Sequence, residues 1–175
     1  MTDDQRPQSI NERTYIVGIG SSAGGLEALR ELVKSLPKAI NASYVIAQHM
    51  SPDHKSMLTE LIARETDLSV VDVVDGMPLA CNTVHVTPPK TDVLLDNGTL
   101  RRTASKSTGI SPKPSIDRLL KCLAEQVKDR AVGIILSGTG SDGAYGVQAI
   151  REAGGITIAQ DEKSAKYDGM PVSAV

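Results

Sequence analysis

Short, largely apolar segments alternate along this chain with segments of helical spacing. The short segments predict strands at residues 15–19, 43–47, 69–74, 131–136 and 156–159, and the continuous apolar run at 15–19 is typical of a strand buried on both faces. The segments of helical spacing lie at residues 25–36, about 52–64, 115–128 and 143–153. Such alternation predicts βαβ units. We therefore expect an α/β fold with a doubly wound, mostly parallel sheet and helices on both faces.

The middle of the chain has a different pattern. Short strand-like segments follow one another at residues 83–86, 93–95 and 99–102. Between the last two, Asp96-Asn97-Gly98 is a strong hairpin-turn signal. These features predict a β-hairpin inserted at the edge of the sheet. Residues 103–114 are rich in Ser, Pro and Lys and predict a long loop.

Composition and charge exclude some classes of function. The chain has no Phe, no Trp and four Tyr, so it lacks the aromatic side chains that stack on single-stranded nucleic acid. Its formal net charge of -2 gives no basic footprint for DNA or RNA. Cys81 and Cys122 have no metal-ligand spacing and are expected to be small, buried residues of a reduced protein. We expect neither a nucleic-acid partner nor a bound metal or cofactor.

The N-terminus is polar and differs from the rest of the chain. Residues 1–13 contain no apolar segment of a secretory signal and predict a disordered tail. Residues 14–175 are long enough for one domain with its own core. No apolar run approaches the roughly 18 residues that a membrane span needs. We expect a cytoplasmic location without membrane insertion.

The loop after the first predicted strand matches two chemical patterns. Gly18-Ile19-Gly20-Ser21-Ser22-Ala23 fits the dinucleotide-binding pattern G-x-G-x-x-G/A. Gly20-Ser21-Ser22-Ala23-Gly24 fits the nucleophile-elbow pattern G-x-S-x-G. A structural interpretation is a glycine-rich turn in which Ser caps the next helix. The loop alone leaves all three open.

The end of the second strand favours the nucleophile. A dinucleotide fold has an acidic residue there, about 20 residues after the glycines, whereas this chain has Gln48-His49. Ser22 is preferred to Ser21 because the flanking glycines lie two residues before and two after it. The N–H group of Ala23, the next residue, is a natural donor to an oxyanion.

Three histidines are candidates for a general base. His49 follows an apolar strand directly and is placed to meet Ser22. We interpret His85 as a half-exposed strand residue of the inserted hairpin, far from the loops. His54 lies at a predicted helix start, where we expect it at the surface. A lone His49 could also be a polar residue with satisfied hydrogen bonds.

A third loop follows the strand at residues 131–136. Asp142 precedes a helix there, and a cap of that helix is the structural interpretation. The preceding Ser137-Gly138-Thr139-Gly140-Ser141 is unusually rich in small residues, which allow close approach to a substrate. Asp142 could therefore hold the imidazole tautomer of a triad. Asp53 and Asp161 are alternatives, and neither follows a central strand so directly.

Several of these segments together resemble the catalytic domain of the chemotaxis protein-glutamate methylesterases, the CheB family. The matching blocks occur in the same order, at residues 19–29, 48–50, 114–117, 136–143 and 169–171. The resemblance implies a Ser22–His49–Asp142 triad, without a cofactor or metal. It implies hydrolysis of glutamate γ-methyl esters on chemoreceptor helices, often with deamidation of glutamine. The implied partner is a methylated chemoreceptor or a related signalling protein.

The chain also departs from the family pattern. Thr139 stands where the family often has Met, at the implied oxyanion site. Residues 51–56 and 167–171 resemble the subtype that is fused to a CheR-type methyltransferase. We expect this chain to be one part of a larger multidomain protein. The alternative functions are a nucleotide- or phosphate-binding module and a non-catalytic domain that binds methylated helices.

Overall fold

The computed structural model describes residues 9–22, 24–37, 40–49, 57–104 and 113–175. Its strands are β1 (Tyr15–Ser21), β2 (Ala42–Gln48), β3 (Ser69–Asp72), β4 (Met77–Pro78), β5 (Thr83–Val86), β6 (Thr91–Asp96), β7 (Thr99–Ala104), β8 (Ala131–Ile135) and β9 (Ile156–Ala159). Its helices are α1 (Gly25–Ser35), α2 (Leu58–Ala63), α3 (Ile116–Val127), α4 (Ala144–Glu152) and α5 (Gly169–Ser173). A short 3₁₀ turn, Lys128–Arg130, leads from α3 into β8.

Among the described residues, the main sheet has six strands in the order β3-β5-β2-β1-β8-β9. Every neighbouring pair in it is parallel. The chain moves from β1 to one side through β2, and β8 later returns to the other side of β1. The order therefore reverses between β1 and β8, which is where open α/β sheets bind their ligands. The predicted doubly wound, mostly parallel fold is confirmed.

Helices cover both faces of this sheet because the central strands are apolar on both sides. On one face, Val17, Ile19 and Ile46 pack with Leu29 of α1 and Ile62 of α2. On the other face, alternate residues of the same strands pack with α3, α4 and the small antiparallel sheet; they include Ile16, Val45, Ala47 and Ile135. The core contains no Phe or Trp, so aliphatic side chains fill it.

Glycines in β1 let α3 lie directly on the strand. A Cβ atom on Gly18 would lie 2.5 Å from Leu120 Cδ2, and one on Gly20 would lie 2.4 Å from Ile116 Cγ2. Both distances are far inside van der Waals contact. The G-x-G spacing that resembled a phosphate-binding loop thus serves the packing of α3 against β1.

The predicted edge hairpin needs a correction. Strands β6 and β7 do form a hairpin, and Asn97 and Gly98 turn with φ of 46° and 77°. Together with β4 they make a separate antiparallel sheet, in which β6 packs against α3 rather than extending the main sheet. The segment Thr83–Val86, expected in the hairpin region, is β5 and lies inside the main sheet between β2 and β3. The alternation of polar and apolar residues in this segment is typical of a half-exposed strand, but all four residues are buried.

The N-terminal segment is described only in part. Residues 1–8 of the predicted tail lie outside the described residues, as do most of the predicted loop at 103–114 and the predicted start of α2. Within residues 9–13, Ser9 forms an isolated bridge with Ala80, and the Asn11 N–H donates to Thr14 Oγ1 at 2.9 Å. No helix in the described part of the chain is long and apolar enough to span a membrane.

The packing of α3 on β1 predicts the effect of adding one methyl group. Gly18→Ala should lower the free energy of unfolding by about 1–3 kcal/mol because the new Cβ overlaps Leu120. Urea unfolding measures this loss. In a Leu120→Ala background the same substitution should destabilise the protein less, because the overlapping methyl is gone. An equal loss in both backgrounds would contradict this account of the glycine.

Candidate active site

The carboxyl ends of β1, β2 and β8 bring three loops together. Ser21 and Gln48 form the last pair of the β1–β2 ladder, so the next residues, Ser22 and His49, lie side by side. The His49 N–H donates to the Ser21 carbonyl at 2.9 Å. The Ser22 N–H donates to the Ser137 carbonyl, just beyond β8, at 3.1 Å. The parallel ladders therefore place the predicted hydroxyl and imidazole at adjacent backbone positions.

Asp142 lies against the imidazole of His49. Its Oδ2 atom is 2.8 Å from His49 Nε2, and both side chains are largely buried. Burial alone would raise the pKa of the Asp142 carboxyl. Hydrogen bonds from His49 and from the N–H groups of Asp117 and Ile116 outweigh burial and hold that pKa below its ordinary value. An ionised carboxylate only accepts, so in a neutral imidazole Nε2 would carry the proton and Nδ1 the lone pair.

Asp142 caps a helix, although a different one from that expected. Its Oδ2 accepts the Ile116 N–H and its Oδ1 accepts the Asp117 N–H, each at 2.9 Å. These N–H groups belong to the first turn of α3. The N-cap of α4 is Gly143, which has no side chain to accept a hydrogen bond from the N–H groups of that helix. The alternative structural interpretation of Asp142, as the cap of the following helix, is therefore wrong, because the tertiary fold turns the carboxylate toward the neighbouring helix.

The two adjacent serines differ in their environment. The Ser21 side chain is fully buried, and its hydroxyl donates to Gln48 Oε1. The Gln48 amide in turn donates to the Ser22 carbonyl at 2.9 Å, which secures the backbone of the loop. Ser22 itself is 9% exposed. Within the described part of the chain, no hydrogen bond joins the Ser22 hydroxyl to the His49 ring. Ser22 is thus the hydroxyl that remains available at the loop.

The glycine-rich loop after β8 packs directly on Ser22. A Cβ atom on Gly138 would lie 2.8 Å from Ser22 Cβ and 2.2 Å from Met170 Sδ. The Gly138 N–H donates to the Tyr167 carbonyl, and its own carbonyl accepts the Met170 N–H, both at 2.9 Å. The Tyr167 N–H donates to Ser137 Oγ at 3.0 Å. Residues before and within α5 therefore hold this loop against the serine.

Of the two predicted oxyanion residues, only Thr139 lies among the described residues. Thr139 lies in the same loop and is exposed next to Gly138. Gly140 follows with φ of 84°, a conformation that suits glycine. The N–H groups of these two residues make no hydrogen bond within the described ranges. Ala23 lies outside the described residues, so its predicted role as an oxyanion donor stays a prediction.

Two of the other candidate residues, His85 and Asp161, do not join the site. His85, expected half-exposed, is completely buried in β5, and its Nδ1 lies 3.0 Å from the Tyr44 carbonyl. Burial lowers the pKa of His85 and favours the neutral ring. Asp161 Oδ1 accepts the Lys163 N–H at 3.0 Å within its own loop. His54 and Asp53 lie outside the described residues.

Cysteines and acidic groups offer no metal centre in the described ranges. No group of three His, Cys, Asp or Glu side chains there is arranged to hold a metal ion. Cys81 is buried, as expected, while Cys122 is half-buried with its Sγ 3.1 Å from the Leu95 carbonyl. Burial raises the pKa of the Cys122 thiol, which favours the unreactive thiol form.

A second buried carboxylate, which the sequence did not reveal, holds the start of α3. Asp92 of β6 is fully buried, and it accepts Lys113 Nζ at 2.7 Å and the Ser115 N–H at 2.8 Å. Arg118 also donates to it. Burial opposes the ionised form, but these donors keep the pKa of Asp92 below its ordinary value. The antiparallel sheet thereby fixes the helix end that donates to Asp142.

Comparison with known proteins gives a consistent picture. The chain is 38% identical over 169 residues to protein-glutamate methylesterase/protein-glutamine glutaminase 1 of Pseudomonas fluorescens, and the match covers 96% of this chain and 50% of that protein. It is 36% identical over 161 residues to protein-glutamate methylesterase FrzG of Myxococcus xanthus, with 91% and 48% covered. The chain thus spans about half the length of these relatives.

A solved structure and a family model agree with these relatives. The Thermotoga maritima CheB methylesterase catalytic domain superposes with a TM-score of 0.83 at 32% identity, covering 92% of this chain and 87% of that one. The CheB methylesterase family model matches residues 17–175. This chain therefore belongs to the CheB methylesterase family.

Proposed function

We propose that this chain is a serine hydrolase that removes methyl groups from glutamate γ-methyl esters in a protein substrate. The observation that carries the proposal is the 2.8 Å contact between His49 Nε2 and Asp142 Oδ2 at the strand end beside Ser22. The names of the relatives, protein-glutamate methylesterase and protein-glutamine glutaminase, support the same chemistry.

In the proposed first step, Ser22 Oγ attacks the ester carbonyl and His49 accepts its proton at Nδ1. The proton on Nε2 stays with the imidazole because Asp142 accepts that hydrogen bond. The contact between the Ser22 hydroxyl and the His49 ring forms as substrate binds, since catalytic hydrogen bonds tighten in the complex. Asp142 then stabilises the imidazolium that results.

The oxyanion formed by this attack needs donors close to Ser22. The proposed donors are the Ala23 N–H and an N–H of the Thr139 loop. The N–H groups of Thr139 and Gly140 make no hydrogen bond among the described residues, and their loop packs on the serine, which supports the second donor. A backbone N–H can donate whatever side chain the residue carries. Thr139, in place of the Met that is frequent in the family, is therefore compatible with this second donor.

Collapse of the tetrahedral intermediate releases methanol, which takes its proton from His49. Water then attacks the acyl-enzyme with His49 again as the base, and glutamate and free Ser22 result. A glutamine side chain follows the same route with ammonia as the leaving group, which would account for a deamidase activity. Neither step needs a metal or a cofactor.

The proposed setting of this chemistry is a catalytic domain at residues 14–175 within a larger cytoplasmic protein of the methyltransferase-fused type. The proposed substrate is a helix of a methylated chemoreceptor or a related signalling protein. The chain's span of half of its relatives supports the multidomain setting. The packing role of Gly18 and Gly20 weighs against the alternative of a nucleotide-binding module.

The two serines provide the sharpest test of the nucleophile. Ser22→Ala should lower kcat about 10⁶-fold, by analogy with other triads, measured as methanol release from a methyl-esterified receptor fragment. Ser21→Ala is the matched control, and its loss should be far smaller because the Ser21 hydroxyl is buried against Gln48. Equal losses would rule out Ser22 as the specific nucleophile. A wild-type chain that binds the fragment but releases no methanol would instead be a non-catalytic binding domain.

The proton arrangement at His49 gives a second prediction. Asp142→Asn should lower kcat about 10⁴-fold, because an amide that donates to Nε2 favours the wrong tautomer. Asp161→Asn changes a loop carboxylate in the same way and should leave methanol release unchanged. Steady-state kinetics of both variants, with circular dichroism to verify folding, measures the difference. A folded Asp142→Asn variant with wild-type kcat would refute the role of Asp142.

A further inference from the structure

Asp117, in the first turn of α3, has a partly buried carboxylate that the mechanism above does not use. Its Oδ1 accepts the Gly143 N–H at 3.1 Å and the Gly146 N–H at 2.7 Å. Both N–H groups belong to the start of α4, which has no side-chain cap of its own. Asp117 therefore caps α4 from the neighbouring helix, just as Asp142 caps α3.

Each aspartate thus caps the helix in or beside which the other aspartate stands. Asp142 stands just before α4 and accepts two N–H groups of α3, while Asp117 stands in α3 and accepts two N–H groups of α4. Gly143 connects the two pairs of hydrogen bonds, because it directly follows Asp142 and its N–H donates to Asp117. We call these four hydrogen bonds the crossed caps.

We propose that Asp117 is a positioning residue that sets the Asp142 carboxylate against His49. This rests on the proposed function, in which Asp142 must hold the Nε2–H of His49. The hydrogen bonds of the Asp117 side chain run to α4, so it acts through the backbone that carries Asp142. It does not touch the reacting atoms.

The space around Gly143 shows how little freedom this backbone has. Gly143 has φ of 102°, and a Cβ there would lie 2.6 Å from Ile135 Cδ1 and 2.9 Å from Ile116 Cγ2. The chain after Asp142 is therefore pressed between β8 and α3. Without the Asp117 acceptor, the Gly143 N–H would be left unsatisfied in this tight space, and the segment would have to shift to find another partner.

The Asp117 side chain is needed as a hydrogen-bond acceptor, whereas its negative charge is disfavoured. Burial raises the pKa of Asp117, and the nearby Asp142 charge raises it further, against the hydrogen bonds from Gly146 and Gly143 and the charge of Lys121. The negative charge is thus opposed by its surroundings, while the accepting oxygen is used twice. An amide oxygen at the same position should therefore serve almost as well.

The kinetic test compares three substitutions of Asp117 in the full chain. Asp117→Ala should lower kcat for methanol release by about 10- to 100-fold, because small misplacements of catalytic groups have effects of this size. KM should stay within about twofold, since no substrate contact is lost. Asp117→Asn should recover most of kcat. Asp117→Glu keeps the charge but moves the acceptor, and should lose more than Asp117→Asn.

Asp161→Ala is the control. Asp161 Oδ1 accepts the Lys163 N–H at 3.0 Å within its own loop, so the substitution removes a carboxylate that accepts a backbone N–H outside α3 and α4. Its kcat should stay near that of the wild type. An equal loss in Asp161→Ala and Asp117→Ala, or a folded Asp117→Asn with less activity than Asp117→Glu, would overturn the proposal. The comparison of Asn and Glu decides the question even if the Ala variant does not fold.

A spectroscopic measurement separates this proposal from the proposed function. In protein labelled with ¹⁵N-histidine, the Nε2–H signal of His49, assigned with His49→Gln, reports the bond to Asp142 without any substrate. The signal should persist in Asp117→Asn and exchange faster with water in Asp117→Glu and Asp117→Ala. An unchanged signal in Asp117→Glu would refute positioning. Absence of esterase activity in the wild type would refute only the proposed function.

Discussion

The Asp142 carboxylate and its hydrogen bonds hold together the part of the molecule where the sheet reverses its order. A carboxylate that is largely buried remains ionised only when donors surround it, and here the donors come from two directions. The His49 ring is on one side, and the first turn of α3 is on the other. Loss of either set would leave the buried charge with only part of its compensation. The ionised state of Asp142 therefore depends on where α3 begins.

The position of α3 depends in turn on residues far from the site. Gly18 and Gly20 let the helix approach β1 closely enough for its first turn to reach Asp142. Asp92, reached from the antiparallel sheet, then holds the segment just before that turn through Lys113 and the Ser115 N–H. The small sheet, which carries none of the predicted catalytic residues, thus contributes to the site by fixing a helix end. The crossed caps join this helix to α4.

Local patterns in the sequence were sufficient for the main sheet and for the junctions that carry its chemistry. The continuous apolar runs of β1, β2 and β8 are buried on both faces, and polar residues begin where each run ends. Because parallel strands end at one edge, the sequence alone groups Ser22, His49 and Asp142. It does not determine their distances: the structure has His49 and Asp142 in contact, while the Ser22 hydroxyl and the His49 ring are not hydrogen-bonded.

The sequence by itself determined which residues stand at the strand ends, because burial on both faces requires uninterrupted apolar runs. It also determined the hairpin turn at Asn97-Gly98, because few residues adopt positive φ at low energy. Only the tertiary structure decided that β5 joins the main sheet, that Asp142 caps α3 and that Asp117 caps α4. The physical reason is that the residue pattern of a strand does not specify which strands pair with it. A carboxylate before or within a helix likewise does not specify which N–H groups it accepts, since that depends on how the helices pack.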